Sequence, residues 1–98
     1  MARKIRLLPR AERELANLPT TVQDQIIGKL EVLRDFPEMG PAMFDAFAGY
    51  RALLAAKNTY RIIYRIVSDE VIEIAYIRHC ARQIRLRVVR EKKVVAPQ

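Results

Sequence analysis

Apolar and polar positions follow two different periods along the 98 residues. Ala11, Leu15 and Leu18 recur at i, i+4 and i+7, one stripe of a short helix whose first turn accommodates Pro9, where a missing N–H costs nothing. Leu18-Pro19 breaks that stripe. Thr20 and Gln23 then have the spacing of a capping box, and Val22, Ile26, Leu30 and Leu33 carry a second helix to Phe36-Pro37. Gln23, Lys29, Glu31, Arg34 and Asp35 fall on its wet side. The pattern predicts a helical hairpin, preceded by a short strand over Lys4 to Leu8.

From residue 50 the pattern changes. Three runs rich in Val, Ile and Tyr, 50–55, 60–67 and 71–78, predict strands. The short polar connections 57–59 and 68–70 predict antiparallel hairpins. Between the helices and these strands, residues 38–49 contain Gly40-Pro41 and Gly49 and read as a loop, with Met43, Phe44 and Phe47 too apolar for all of it to be exposed. The expected fold class is α+β, in the order β-α-α-β-β-β, with the hairpin on one face of a small, mainly antiparallel sheet. Ile84, Leu86 and Val88 fit a helix and a strand equally well, so the C-terminal segment stays open, with residues 91–98 readable as a disordered tail.

Composition narrows the function. The length suits one domain, residues 1–98, and leaves no room for a second core. No apolar run reaches eighteen residues and no apolar segment follows the basic N-terminus, so the expectation is a soluble, unexported chain. One cysteine, Cys80, forms no internal disulfide and has no CxxC partner, which fits the cytoplasm and offers no metal or other cofactor site. The net charge is +7. Residues 1–50 hold seven basic and seven acidic side chains, whereas residues 51–98 hold eleven against four, so the whole excess lies in the second half. Arg51, Lys57, Arg78, Arg85 and Arg87 are the candidate contacts to a polyanion such as RNA; a solvated basic tail is the plainer alternative for the last stretch.

Strand register selects a smaller group. Even positions Tyr60, Ile62, Tyr64 and Ile66 form a core face, matched in the next strand by Ile72, Ile74 and Tyr76. Pairing Val67 with Val71 across the three-residue connection puts both sets on one side. Arg65 then faces Glu73, a favourable cross-strand pair. The same register sets His79 opposite position 59, on the outer face with Arg61 and one diagonal step from it.

Several of these segments carry a resemblance: Ala11-Glu12-Arg13-Glu14-Leu15 with Leu18-Pro19, then Gly49-Tyr50-Arg51, the run Tyr60 to Ile66, and Ile77-Arg78-His79. Together they resemble the RelE/ParE superfamily of toxins from type II toxin–antitoxin systems over nearly the whole chain. The resemblance implies a toxin held by a tightly bound antitoxin, expected to be acidic against this basic chain. The superfamily includes ribosome-dependent mRNA endonucleases and inhibitors of DNA gyrase, and gyrase-directed members tend to carry a longer helical hairpin than Pro9 to Phe36. In YoeB-like members an arginine and a histidine at the positions of Arg61 and His79 take part in cleavage. Their glutamate base has no counterpart in the 38–45 loop. RelE-like members have two lysines where this chain has Arg51 and Leu53, and the basic residue after their last strand falls at Cys80, leaving Arg82 as a displaced substitute.

The implied chemistry is self-consistent. Attack of a 2′-OH on the adjacent phosphate needs a route for the hydroxyl proton, cationic donors for charge growing on phosphate oxygens, and an acid for the leaving 5′-oxygen. Arginine suits the donors and histidine the acid. Three readings follow: a ribosome-dependent endoribonuclease acting on mRNA, a gyrase inhibitor, and a plain RNA-binding module. The third lacks both the aromatic RNP motif and a GxxG loop.

Overall fold

The computed structural model describes residues 3–81. Strand β1 (Lys4–Leu7) leads into helix α1 (Pro9–Ala16) and helix α2 (Thr20–Asp35); a single 3-10 turn at Asp45–Phe47 precedes strands β2 (Arg51–Ala55), β3 (Tyr60–Ile66) and β4 (Val71–His79). The sheet order is β1-β4-β3-β2, with β1 parallel to β4 and the other pairs antiparallel. The α+β class and element order expected from the sequence are those of the structure. The C-terminal segment, including Arg82, Arg85 and Arg87, lies outside the described residues.

One face of the sheet carries the helices. Ile26, Leu30 and Leu33 of α2 and Ala11 of α1 meet Leu53, Ile62, Tyr64, Ile72, Ile74 and Ile77 in a single buried cluster. Burying a side chain of this size contributes roughly 1.5–3 kcal/mol, so this layer holds the fold together. Thr20 and Gln23 form no capping box: Pro19 occupies the N-cap and no side chain caps it. The Gln23 amide instead turns back and donates to the Leu15 and Ala16 carbonyls at 2.9 and 3.3 Å, satisfying the orphaned end of α1.

A β-bulge decides which side chains share a face. From Ile66↔Ile72 to Tyr64↔Ile74 the pairing of β3 with β4 follows the predicted register, including Arg65↔Glu73. The next pair is Ile63↔Tyr76, so Ala75 is one extra residue in β4, and Ile62↔Ile77, Arg61↔Arg78 and Tyr60↔His79 follow. An extra residue reverses the sidedness of everything beyond it. Ile77 therefore turns into the core in place of Tyr76, and Tyr76 points to the outer face. His79 follows Ile77 to the helix side. The expectation that His79 and Arg61 share a face is thus corrected: they lie on opposite faces at the same end of the sheet.

Candidate functional site

The outer face is built from arginines and aromatic rings. Arg61, Ile63 and Arg65 of β3 and Glu73, Tyr76 and Arg78 of β4 project from it, as their pairing requires. The loop before β2 covers its middle, where Phe47 packs edge-on against Tyr50 and Tyr76 at 6.3 and 6.2 Å between centroids. Guanidiniums lie over two of these rings: Arg10 and Arg78 over Tyr76 at 5.1 and 4.8 Å, and Arg65 over Tyr50 at 5.7 Å. Phe44, in the same loop, is 78% exposed, while Met43 and Phe47 are half-buried, so the loop is not exposed throughout, as its apolar residues led one to expect.

The two halves of this face differ in charge. Near its start, Glu73 is 6% exposed and bridges two cations, accepting from Arg6 at 2.8 Å and from Arg65 at 2.9 Å. The Arg6 hydrogen bond, helped by the one from Arg65, holds its carboxyl below the usual carboxylate range against the opposing effect of burial. The same bond to Glu73 raises the Arg65 pKa. Arg65 is thus the structural partner of Glu73 that the sequence indicated, and Arg6 is an unforeseen third member, brought in by parallel pairing of Arg6 with Glu73.

Toward the other end, Arg61 sits directly opposite Arg78. Glu14 of α1 neutralises Arg78 at 3.0 Å, and its other oxygen accepts the Ile77 backbone N–H at 2.8 Å. That carboxylate caps the edge of β4 where β1 no longer pairs, a role for Glu14 that the sequence pattern did not reveal. Arg61 is half-buried and makes no ion pair among the described residues.

The remaining candidates are placed as follows. Arg51 donates to the Gly40 and Glu38 carbonyls at 2.7 and 3.3 Å, clasping the loop to the sheet. Beside it the buried Tyr64 hydroxyl donates to the Pro37 carbonyl at 2.7 Å and accepts the Gly40 N–H at 3.0 Å, and burial raises its pKa. A Cβ on Gly40 would stand 2.7 Å from the Ala52 carbonyl oxygen and 2.9 Å from this hydroxyl, so the close approach requires glycine. Lys57 is exposed on the β2–β3 turn, where Ala56, Lys57 and Asn58 all have positive φ of 53°, 57° and 64°. Backbone strain of this kind concentrates at functional sites. The Cys80 N–H bonds the Thr59 carbonyl at 2.8 Å, tying this turn to the end of β4. His79 is exposed there; the Ala81 N–H donates to its Nδ1 at 3.0 Å and its ring lies edge-on to Tyr60 at 5.1 Å.

The sheet gathers Arg61, Arg65 and Arg78 on one face; it does not bring His79 to them. This fold, two helices over a four-stranded mixed sheet, resembles that of solved RelE toxins. The RelE–RelB complex named RelBE2 of Mycobacterium tuberculosis contains a chain 24% identical, with a TM-score of 0.67 over 81% of this chain and 99% of that one. The Escherichia coli RelBE toxin–antitoxin complex gives 20% identity and a TM-score of 0.70 over 83% and 100%. The archaeal RelE–RelB complex of Pyrococcus horikoshii gives 19% and 0.61 over 85% and 100%. No curated protein sequence matches the chain. Residues 5–84 match the family model described as the ParE toxin of the type II toxin–antitoxin system parDE. The chain belongs to this family, within the RelE/ParE superfamily, and is a toxin of a type II toxin–antitoxin system.

Proposed function

We propose that this toxin is a ribosome-dependent endoribonuclease that cleaves mRNA and so stops translation. The observation that carries the reading is Arg61: a half-buried guanidinium opposite a second arginine, with no carboxylate facing it among the described residues. Like charges directly opposed across a sheet are unfavourable, and a bound anion relieves them. A phosphate matches a planar guanidinium by paired hydrogen bonds. Arg61 stabilises charge growing on the scissile phosphate, while Arg65, engaged by Glu73, is held in a structural role. The proton transfers fall to the RNA and the ribosome, and Arg82, beyond the described residues, adds a further cationic donor. Lys57, Arg85 and Arg87 contact the RNA backbone, and Arg51 and Arg78 shape the surface around it.

The partner that restrains the toxin in the cytoplasm is an acidic antitoxin. RelE chains of this fold are found in complexes with RelB. No helix among the described residues is long and apolar enough to cross a membrane.

The family description as a ParE toxin supports a second reading, inhibition of DNA gyrase without any cleavage. Toeprinting of mRNA on programmed ribosomes separates the two. New primer-extension stops that mark cleaved mRNA with the parent protein and vanish with Arg61→Ala support the first. Unbroken mRNA together with inhibited DNA supercoiling establishes the second.

A further inference from the structure

The proton on His79 is placed by its neighbours. Its Nδ1 accepts the Ala81 backbone N–H at 3.0 Å, so in the neutral ring the proton is on Nε2. The ring presents a donor at its outer edge, and a second proton on Nδ1 would displace the Ala81 bond. Tyr60 stands edge-on beside it at 73° between planes, fixing the orientation of the imidazole.

This pair borders a hollow of about 380 Å³ between the end of α1 and the end of β4, to which Asn17, Leu18 and Arg78 also contribute. The hollow lies at the small end of the roughly 300–1,000 Å³ range of ligand sites. Its chemistry is mixed in a particular way: two flat rings, the apolar Leu18, a guanidinium already neutralised by Glu14, and the exposed Asn17 side chain. A phosphate would find little net positive charge here. A flat heterocycle with donors and acceptors on its edge fits better, because rings stack on rings and an amide pairs with a base edge. The strained Lys57 turn, joined to Cys80 through Thr59, sets a cation at the same end of the sheet for the adjoining backbone.

We propose that the hollow between α1 and the Tyr60–His79 end of the sheet is a nucleobase subsite for single-stranded RNA. His79 there is an Nε2–H donor and stacking surface. This rests on the RNA reading above and extends it to the opposite face: a strand passing the sheet end would set its phosphate against Arg61 and a flanking base against His79. Asn17 then contributes base preference.

The test compares binding of two short RNAs to the full chain, one with all bases and one with a single abasic position scanned along it. His79→Ala should weaken binding of the intact RNA by about ten- to a hundredfold, the effect of removing one stacking ring. At the abasic position that matches the hollow, parent and His79→Ala should bind alike. His79→Phe should keep affinity within a few-fold while losing base preference, and Asn17→Ala should flatten that preference alone. Nitrogen-15 spectra of the neutral histidine should show the Nε2–H tautomer. The subsite is overturned if RNA binding responds to Arg61→Ala while His79→Ala matches the parent on every RNA. It is also overturned if His79→Ala weakens only a protein partner, or if the Nδ1–H tautomer is seen. Absence of any RNA binding by the parent overturns the subsite as well, whereas the RNA reading stands or falls separately on cleavage of mRNA on programmed ribosomes.

Discussion

The two halves of the β3–β4 ladder contain the same residue types and put them to different use. Before the bulge, Arg65 faces Glu73, Arg6 closes the group from the other side, and the charges are spent on holding three strands together. Beyond it, Arg61 faces Arg78, whose carboxylate partner comes from a helix, and Arg61 makes no ion pair among the described residues. An arginine on a sheet face is structural or functional according to what stands opposite it, and one extra residue in a strand changes what stands opposite.

A charge placed just beyond the bulge is the severest way to break the comparison. Ile77 turns into the core there and is 3% exposed, whereas the register before the bulge, carried on, would turn it outward. Ile77→Lys should bury an unpaired cation in place of an isoleucine, which costs on the order of 3–5 kcal/mol, so no cooperative melting transition is expected by circular dichroism. A parent-like melt would mean that Ile77 is not turned inward and that the bulge does not separate the two halves.

The next effect is on activity. Arg61→Ala should lower single-turnover mRNA cleavage on programmed ribosomes by roughly a hundredfold, the scale of losing one preorganised donor, with the melting temperature close to the parent's. Arg65→Ala should do the reverse, reducing stability while leaving cleavage within a few-fold. Equal loss of cleavage in both variants would erase the distinction between the halves.

A smaller change tests the loop clasp that both halves share. Tyr64→Phe removes the hydroxyl that bonds Pro37 and Gly40 and should cost about 1–3 kcal/mol in urea unfolding. Glu73→Gln should cost somewhat less, about 1–2 kcal/mol at neutral pH, because its arginine partners are half exposed and screened by solvent. Its pH dependence has a definite sign. The folded pKa of Glu73 is depressed, so its contribution is present above the unfolded value near 4.3 and is lost as pH falls through the folded one. The stability gap between parent and Glu73→Gln should therefore close on acidification; a gap constant down to pH 2 would deny Glu73 its bridging role. Smallest of all, Ala56→Gly should raise stability by up to about 1 kcal/mol, since glycine takes a positive φ without the penalty alanine carries.

Much of this was legible in the sequence, and the illegible part has one main cause. Periodicity located both helices and all four strands, and alternation paired Arg65 with Glu73, because those signals are local and each residue's burial repeats that of its neighbours at a fixed spacing. The bulge leaves no such trace: Ile74, Ala75, Tyr76 and Ile77 are all apolar enough for either face, so the sequence permits both registers and packing against α1 and α2 selects one. His79 was misplaced for that reason. Glu14 escaped notice and Gln23 was given the wrong partner because each satisfies a backbone group outside its own local turn, Ile77 in one case and the end of α1 in the other. Phe47 was recognisable as too apolar for solvent, yet nothing local showed that its resting place is Tyr76.

Parallel pairing of β1 with β4 also orders events in time. Lys4 meets Val71 and Leu7 meets Ile74, so the first strand to be synthesised waits for the last, with both helices and the β2–β3 hairpin made in between. Contacts this remote in sequence form late, after the local hairpins, because the long intervening loop must close first. Glu73, which needs Arg6 from that first strand, is fully clamped only then. Until that pairing closes, Arg65 lacks the clamped carboxylate that holds it, so the distinction between its role and that of Arg61 arises only at the last step of folding.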